Sequence, residues 1–359
     1  DVFRPRCGRL LGARPGLIGM LFDGAAIFGV ISFSEQSRAV ERSAEQLSRR
    51  AAQLGARSGY QSFGRAVLGW VDRKPQCGAA NHRTQMSKLP LAVAGEITSQ
   101  LPVATNMERA SEKYDWIVDG HGVGGGELLR TLDGTFSLAL WQERGERLTL
   151  MTDRSGDGQL FYRQAADGLL FSSWLRLLAE PECDLDSQSV QEFLRFFYVA
   201  PPRSIYKEIS RIESGHYLTV ANNGALATHE LEPIHGDEGE SANVGGADAT
   251  LRQFQNLFEA SIERRIGGRR VGIFLSSGVD SATLMAGCQR IVADQVEAFT
   301  VGFDAPELDE SAAARVYADC LGVPHTTLRF NSSDYLAAFE KNACEFDQPF
   351  ADPATLPLT

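Results

Sequence analysis

The stretch Leu275-Ser276-Ser277-Gly278-Val279-Asp280-Ser281 decides the fold of the second half of the chain. An apolar run, 271–275, leads into it, and apolar residues at helical spacing, 282–291, follow it, so it is predicted to join a strand to a helix. The first backbone N–H groups of a helix have no partner within the helix and attract anions. Glycine at 278 lets an anion approach the backbone closely. The pattern therefore predicts an anion-binding loop.

The side chains of this loop narrow the kind of anion. Ser276, Ser277 and Ser281 supply hydroxyl donors, and a carboxylate beside phosphates, Asp280, is most easily explained by Mg²⁺. The loop has no G-x-x-x-x-G-K-[ST] pattern and hence no lysine for a transferring γ-phosphate. It suits a pyrophosphate cradle with chemistry at the α-phosphate, which would release AMP and pyrophosphate. Ser, Gly and Asp are also common at helix starts, so a capped turn without a ligand is the alternative.

Strands and helices alternate around the loop about every thirty residues. This rhythm is typical of a parallel sheet with crossover helices. A helical pattern over 251–266 precedes it. The predicted strands are 271–275, 296–303 and 325–330, and the predicted helices are 282–291, 309–321 and 333–343.

The first half of the chain has a different pattern, with many short strands and few helices. The stretch 234–247 is rich in glycine and polar residues and is interpreted as a connector or surface loop. The predicted strands are 27–33, 66–71, 89–94, 135–141, 147–152 and 168–173, and the predicted helices are 35–54 and 187–197.

Composition excludes several functional classes. The 359 residues carry 35 Lys and Arg against 46 Asp and Glu, a formal charge of −11, which argues against a general nucleic-acid binder. No apolar run approaches a membrane span and no secretory signal is evident, so no membrane partner and a cytoplasmic location are expected. The six cysteines form no C-x-x-C pair, which favours a reduced protein. The six histidines lack metal-ligand spacing, and His325 is expected to serve packing or a turn.

Several motifs together carry a family resemblance. Residues 276–281 resemble the S-G-G-x-D-S loop of the PP-loop ATP pyrophosphatases. Three further segments resemble one branch, the asparagine synthetase B family: the second strand 298–303, the helix start Leu308-Asp309-Glu310-Ser311, and the D-E-P-F-A-D-P segment at 347–353, where Gln348 replaces the usual glutamate. Segments between 130 and 220 are similar to the same family, so the resemblance covers about 130–355.

The resemblance implies an α/β protein of two parts. An N-terminal-nucleophile-type (Ntn-hydrolase-like) αββα sandwich at 20–183, similar to type-2 glutamine amidotransferase domains, precedes a parallel-sheet PP-loop domain at 184–359, and 1–19 is an extension outside the fold. The activity implied is ATP-dependent: a carboxylate, aspartate in the parent family, is adenylated and joined to ammonia or an amine. The cofactors implied are ATP and Mg²⁺, and a homodimer is the oligomeric state to test. Among the site residues implied, Asp280 binds the metal. The ATP and pyrophosphate contacts implied are Leu275, Ser276, Ser277, Gly278, Val279, Asp280, Ser281, Val301 and Gly302.

The amidotransferase half departs from the family pattern. Glutamine-using members start with a Cys-Gly pair whose cysteine is the nucleophile. In this chain Phe28 stands at that position, and Ala94 stands where the family places the asparagine of the oxyanion hole. Cys7-Gly8 lies some twenty residues upstream in an Arg-, Gly- and Pro-rich stretch and is interpreted as incidental. We therefore expect a retained fold without glutaminase activity.

The resemblance leaves the reaction open. The family continues beyond the P-F-A-D-P segment into a Ser-Gly-x-Gly-x-Asp-Glu loop, which does not occur before Thr359, so the PP-loop domain is expected to be incomplete in this sequence. Loss of the nucleophile is typical of relatives that close a ring with an internal amine, such as lasso-peptide macrolactam cyclases, whose partner is a precursor peptide, and β-lactam synthetases. A catalytically dead ATP-binding remnant is a further alternative.

Overall fold

A computed structural model describes residues 25–34, 37–73, 85–86, 90–98, 114, 117–118, 126–231, 246–352 and 356. The predicted extension 1–19, with Cys7, and most of the predicted connector, 234–245, lie outside these residues. No helix in the described ranges has the length and apolar character needed to cross a membrane.

Fifteen strands and eight α-helices occur among the described residues. The strands are β1 Ala25–Ser32, β2 Ala56–Phe63, β3 Ala66–Arg73, β4 Gln85–Met86, β5 Leu91–Ile97, β6 Gly134–Gln142, β7 Arg147–Thr152, β8 Phe161–Ala165, β9 Gly168–Ser172, β10 Ser210–Arg211, β11 His216–Ala221, β12 Leu226–Glu230, β13 Val271–Phe274, β14 Val296–Phe303 and β15 His325–Phe330. The helices are α1 Ser37–Gln53, α2 Gly126–Arg130, α3 Leu175–Leu178, α4 Ser187–Phe196, α5 Gly246–Ile266, α6 Val279–Val292, α7 Ser311–Leu321 and α8 Ser332–Glu345.

The first compact unit is built on two six-stranded antiparallel sheets. The first sheet has the order β10-β8-β9-β1-β3-β2 and the second the order β12-β11-β7-β6-β5-β4. The predicted boundary between residues 183 and 184 stays a prediction; strands β10 to β12, which follow it, pair into these two sheets.

Three layers of apolar side chains show how the sheets stack. Side chains of both sheets meet in one buried cluster, which includes Ile27 from β1 and Trp141 from β6. Phe28, the next residue of β1, points to the opposite face of the first sheet and packs with Leu47 of α1. The far face of the second sheet packs with Leu129 of α2. The layer order is helix, sheet, sheet, helix, which agrees with the predicted sandwich.

A buried carboxylate fixes the turn between β7 and β8. Asp153 is 1% exposed, and its two oxygens accept four backbone N–H groups. The donors and distances are Phe136 at 3.1 Å, Gly156 at 2.8 Å, Asp157 at 3.1 Å and Gly158 at 2.6 Å. These bonds supply the partners that a buried charge requires and tie the turn to strand β6.

The second compact unit contains a parallel sheet of order β13-β14-β15. β14 is central, pairing Phe274 with Phe299 on one side and Val301 with Leu328 on the other. Its residues alternate between buried and half-buried, and the buried cluster includes Ala298 of β14 and Met285 of α6. The predicted mixed α/β fold, antiparallel sheets followed by a parallel sheet, is confirmed.

A late segment of the chain belongs to the first unit. Residues 343–352 cluster with residues 25–231 rather than with the parallel sheet. Asp347 accepts the backbone N–H of Leu175 at 2.7 Å and pairs with Arg176. Gln348 Oε1 accepts the backbone N–H of Ile205 at 3.1 Å. We call residues 346–352 the return segment.

Candidate functional site

The loop between β13 and α6 has its shape fixed by its own serines. The Ser276 N–H donates to Ser281 Oγ at 3.1 Å, and the two hydroxyl oxygens lie 2.9 Å apart. The Gly278 N–H donates to Ser276 Oγ at 3.1 Å, and Gly278 is the N-cap of α6. The strand-to-helix junction is therefore where the sequence predicts it, and the hydroxyls of Ser276 and Ser281 bond to each other within the loop.

The same loop presents backbone donors at its open side. The N–H groups of Val279, Asp280 and Ser281, the first of α6, find no acceptor among the described residues. The Ser277 N–H does have one: it donates to Oε2 of Glu310 at 2.8 Å. A carboxylate from the start of α7 thus already bonds to this loop, and its backbone geometry accepts an anion.

Asp280 has the exposure that a metal ligand needs. Its carboxylate is exposed on the first turn of α6 and makes no hydrogen bond or ion pair with the described residues. Within those residues, no group of three or more His, Cys, Asp and Glu side chains is arranged to hold a metal ion. One carboxylate with substrate phosphates and water is nevertheless a usual Mg²⁺ environment, so this donor set fits the ion.

The other predicted contacts, Val301 and Gly302, lie near the carboxyl end of β14. Gly302 is buried, and a Cβ there would lie 3.0 Å from Thr327 Cγ2 and 3.2 Å from Arg329 Nη1 of β15. Ligands of parallel α/β sheets bind at this edge. The structure brings this edge and the loop together, since the Leu275 N–H donates to the Phe299 carbonyl at 2.8 Å.

An ion pair holds the segment between β14 and α7. Arg329 Nη1 donates to Asp309 Oδ2 at 2.6 Å and to the Phe303 carbonyl at 3.2 Å. Asp309 Oδ1 accepts the Ser311 N–H at 3.0 Å. The hydrogen bonds from Ser311, followed by the one from Arg329, lower the pKa of Asp309 to about 2. The Asp309 carboxylate therefore stays charged at neutral pH and keeps its bonds to Arg329 and Ser311. Glu310 is the next residue of this held segment, and it lies beside the loop.

Sequence reasoning missed two contributors to this site. Glu310 was identified only as part of a helix start, and Thr300 only as part of a strand. The Thr300 hydroxyl donates to the Leu275 carbonyl at 2.7 Å, and Thr300 is 4% exposed. A buried threonine amid apolar strand residues is the signal that could have indicated a bonded hydroxyl, because buried hydroxyls are normally paired.

Phe28 and Ala94, which stand where the family places glutaminase residues, do not face the same space. Phe28 is fully buried on the helix-facing side of the first sheet, and a Cβ on Gly69 would lie 2.4 Å from its ring. Ala94 faces the space between the two sheets. Ile27, the neighbour of Phe28 that also faces that space, has no nucleophilic atom either. In β1 the only hydroxyl side chain is Ser32, which donates to the Ser34 carbonyl at 2.9 Å.

Two family models match the chain. The glutamine amidotransferase domain family matches residues 25–230, which is more than half of the chain, and the asparagine synthase family matches residues 253–359. The two matches follow one another as the predicted halves do.

Curated relatives match across both halves. Asparagine synthetase [glutamine-hydrolyzing] 1 of Bacillus subtilis is 23% identical over 240 residues, which are 65% of this chain and 36% of the relative. A putative asparagine synthetase [glutamine-hydrolyzing] of Mycobacterium bovis is 25% identical over 257 residues, 67% of this chain and 38% of the relative. Amidase chry2 of Gibberella zeae is 24% identical over 62% of this chain and 35% of the relative. The chain thus spans little more than a third of the length of these relatives.

Among solved structures, the glutamine phosphoribosylpyrophosphate amidotransferase of B. subtilis aligns with 84% of this chain and 65% of its own. The TM-score is 0.30 and the identity 12%, below the level at which a shared fold follows. The family assignment rests instead on the two family matches, in their order along the chain, and on the curated relatives. The chain belongs to the asparagine synthetase family, with a glutamine amidotransferase domain followed by an asparagine synthase domain.

Proposed function

We propose that this chain provides the nucleotide-binding loop of an ATP-dependent ligase, which adenylates a carboxylate and joins it to ammonia or an amine. The observation that carries the proposal is the carboxylate of Glu310 on the Ser277 N–H, beside three further N–H groups of α6 without acceptors. Family membership supports an ATP-dependent ligase of the amidotransferase type.

Different residues are proposed to contact the pyrophosphate, the metal ion and the nucleoside. The N–H groups at the start of α6 and of Ser277 would bind its oxygens, and the Ser277 hydroxyl adds a donor. Asp280 would hold Mg²⁺, which when bound supplies positive charge that offsets the charge of the leaving pyrophosphate. Ser276 and Ser281 keep the loop open to this ligand through the bonds between them. Leu275, Val301 and Gly302 are proposed to contact the nucleoside.

The proposed reaction has two steps. A carboxylate oxygen attacks the α-phosphorus of ATP, a new O–P bond forms, and the bond to the pyrophosphate breaks. Ammonia or an amine then attacks the carboxyl carbon, AMP leaves, and the nitrogen loses a proton. The loop acts by positioning and by stabilising negative charge, since none of its side chains needs to form a covalent bond.

We also propose that the nitrogen does not come from glutamine hydrolysed in this chain's first unit. Phe28 and Ile27 offer no nucleophile in β1, and Ala94 offers no amide for an oxyanion hole. Free ammonia with a small carboxylate such as aspartate is the simplest substrate set. An internal amine, as in the ring-closing relatives named above, is the second candidate, and the absence of a cysteine from β1 favours it equally.

Ligand-dependent thermal stability tests the loop assignment. A ligand that binds only the folded state raises its stability, by about 2.7 kcal/mol at a hundred times Kd. We expect Mg·ATP and Mg·pyrophosphate to raise the melting temperature of the full chain, and Asp280→Asn to remove most of the Mg²⁺-dependent part. Asp294→Asn, in the turn before β14, is the matched control. No shift at millimolar ligand overturns the assignment.

A second assay tests the nitrogen source. Pyrophosphate release is followed with aspartate plus ammonium, with aspartate plus glutamine, and with a precursor peptide. We expect no glutamate from glutamine, and glutamate formation would refute the proposed loss of glutaminase activity. Release with the peptide alone would select the ring-closing alternative.

A further inference from the structure

A chain of side-chain hydrogen bonds crosses the three strands of the parallel sheet below the loop. His325, the first residue of β15, has its Nε2 atom 2.8 Å from the Thr300 hydroxyl of β14. That hydroxyl donates to the carbonyl of Leu275, the residue directly after β13, at 2.7 Å. The three residues lie on three different strands or strand ends and converge on the first residue of the loop.

The proton positions in this chain follow from the number of donors. A threonine hydroxyl has one proton, and the backbone carbonyl of Leu275 can only accept. The Thr300 hydroxyl therefore gives its proton to Leu275 and accepts one from His325 Nε2. This fixes the neutral tautomer of His325 with the proton on Nε2. The Nδ1 atom then carries a lone pair, and it is buried without a hydrogen-bond partner in the described part of the chain.

Leu275, which accepts the hydrogen bond from Thr300, is also held by its burial and by its own N–H group. The Leu275 side chain is 3% exposed within the apolar cluster of the unit, and its N–H donates to the Phe299 carbonyl. The Thr300 hydroxyl therefore supplies the partner for the remaining polar group of that residue. Both backbone groups of Leu275 are thus held by β14 at the point where the loop leaves the sheet.

We propose that Thr300 and His325 are positioning residues, which fix the carbonyl of Leu275 and thereby the direction in which the N–H groups of the 276–281 loop point. The hydrogen-bond chain itself is independent of any ligand, whereas its effect on nucleotide binding rests on the function proposed above. Neither residue touches the ligand in this proposal. Their effect on affinity passes through the loop backbone.

Conservative substitutions separate the hydrogen bonds from packing. Thr300→Val keeps the shape and removes the hydroxyl, whereas Thr300→Ser keeps the hydroxyl. His325→Leu removes the donor, whereas His325→Gln places an amide N–H near the position of Nε2. We expect the Val and Leu variants to bind Mg·pyrophosphate roughly fivefold more weakly, the equivalent of one net hydrogen bond, and the Ser and Gln variants to stay within twofold of the native chain.

Two ligand-free measurements keep this proposal separate from the proposed function. Long-range ¹H–¹⁵N correlation spectra should show the Nε2–H tautomer of His325, and amide exchange at Ser276 and Gly278 should be faster in Thr300→Val than in Thr300→Ser. The Nδ1–H tautomer, or equal exchange in the two variants, overturns the proposal. If the native chain binds no pyrophosphate, the proposed function fails while the tautomer and exchange results still decide the role of the two residues. If Thr300→Val does not fold, His325→Gln against His325→Leu gives the same comparison.

Discussion

Glu310 competes with the ligand that we propose for the loop. Its carboxylate bonds to the Ser277 N–H, and a bound pyrophosphate would need the same donor. Replacing it by glutamine removes the charge and keeps an acceptor oxygen, so Glu310→Gln isolates the electrostatic part of the competition. We expect this variant to bind Mg·pyrophosphate more tightly than the native chain.

The expected change in binding free energy follows from the hydrogen bond between Glu310 and the Ser277 N–H. A hydrogen bond to a charged group is worth about 1.5–3 kcal/mol, and exposure to solvent and salt brings a surface contact to the lower end or below. Displacing the Glu310 carboxylate should therefore reduce the binding free energy by about 1 kcal/mol. At 1.4 kcal/mol for each factor of ten, Glu310→Gln should tighten binding roughly three- to tenfold.

Isothermal titration with Mg·pyrophosphate at two salt concentrations measures the effect. The gain should shrink at the higher salt, because added ions screen the repulsion between the carboxylate and the ligand. Glu307→Gln, an exposed glutamate three residues earlier, is the matched control and should leave the affinity unchanged. Equal or weaker binding by Glu310→Gln would refute the competition and would mean that Glu310 assists the ligand or lies clear of it.

Three further predictions concern stability. Asp153→Asn leaves two of the four backbone donors without an acceptor and should lower the free energy of unfolding by roughly 2–5 kcal/mol in urea titrations, whereas exposed Asp157→Asn should change it by under about 0.5 kcal/mol; a small effect at Asp153 would contradict the bonding described. The pKa of Asp309 is lowered to about 2, so its contribution to stability is complete above its ordinary value of 3.8 and is lost as the pH falls towards 2. Native chain and Asp309→Asn should therefore converge in melting temperature across that range, and parallel curves would be the contrary result. Gly302→Ala should lower the free energy of unfolding by about 1 kcal/mol because its Cβ would crowd β15, and an unchanged urea midpoint would show that β15 yields freely.

Most strands could be predicted from the sequence where their own residues show an apolar or alternating pattern. β14 agrees with its predicted bounds because a largely apolar run between polar turns marks it. β15 agrees as well, although only Leu328 and Phe330 of its six residues are apolar. β2 was missed, since it is an edge strand of the first sheet with mostly exposed, polar residues, and its pairing with β3 supplies what its own side chains do not. β12 was missed for the same reason at the edge of the second sheet.

The candidate site, like the strands, could be predicted only where its position depends on neighbouring residues. The loop at 275–281 is local, so its position between a strand and a helix could be predicted from neighbouring residues. Glu310 bonds to the loop directly, and His325 reaches it only through Thr300. Both contacts depend on how segments some thirty residues apart are brought together, which no local pattern specifies. His325 was expected to serve packing or a turn, and the structure shows it hydrogen-bonded to Thr300 instead. The assigned ligand contacts of the loop residues stay predictions.

The return segment makes the second unit an insertion within the first. The chain leaves the antiparallel sheets after β12, forms the parallel sheet, and comes back through Asp347 and Gln348. The Ala351 N–H adds a bond to the Phe197 carbonyl at 3.0 Å. A single cut engineered between residues 231 and 246 would therefore leave two pieces that still co-elute. Substituting Asp347 as well removes the bonds to Leu175 and Arg176 and should weaken this association, while the bonds of Gln348 and Ala351 remain. The chain is thus held by two connections, the peptide backbone and the return segment, and the second can be weakened by mutation.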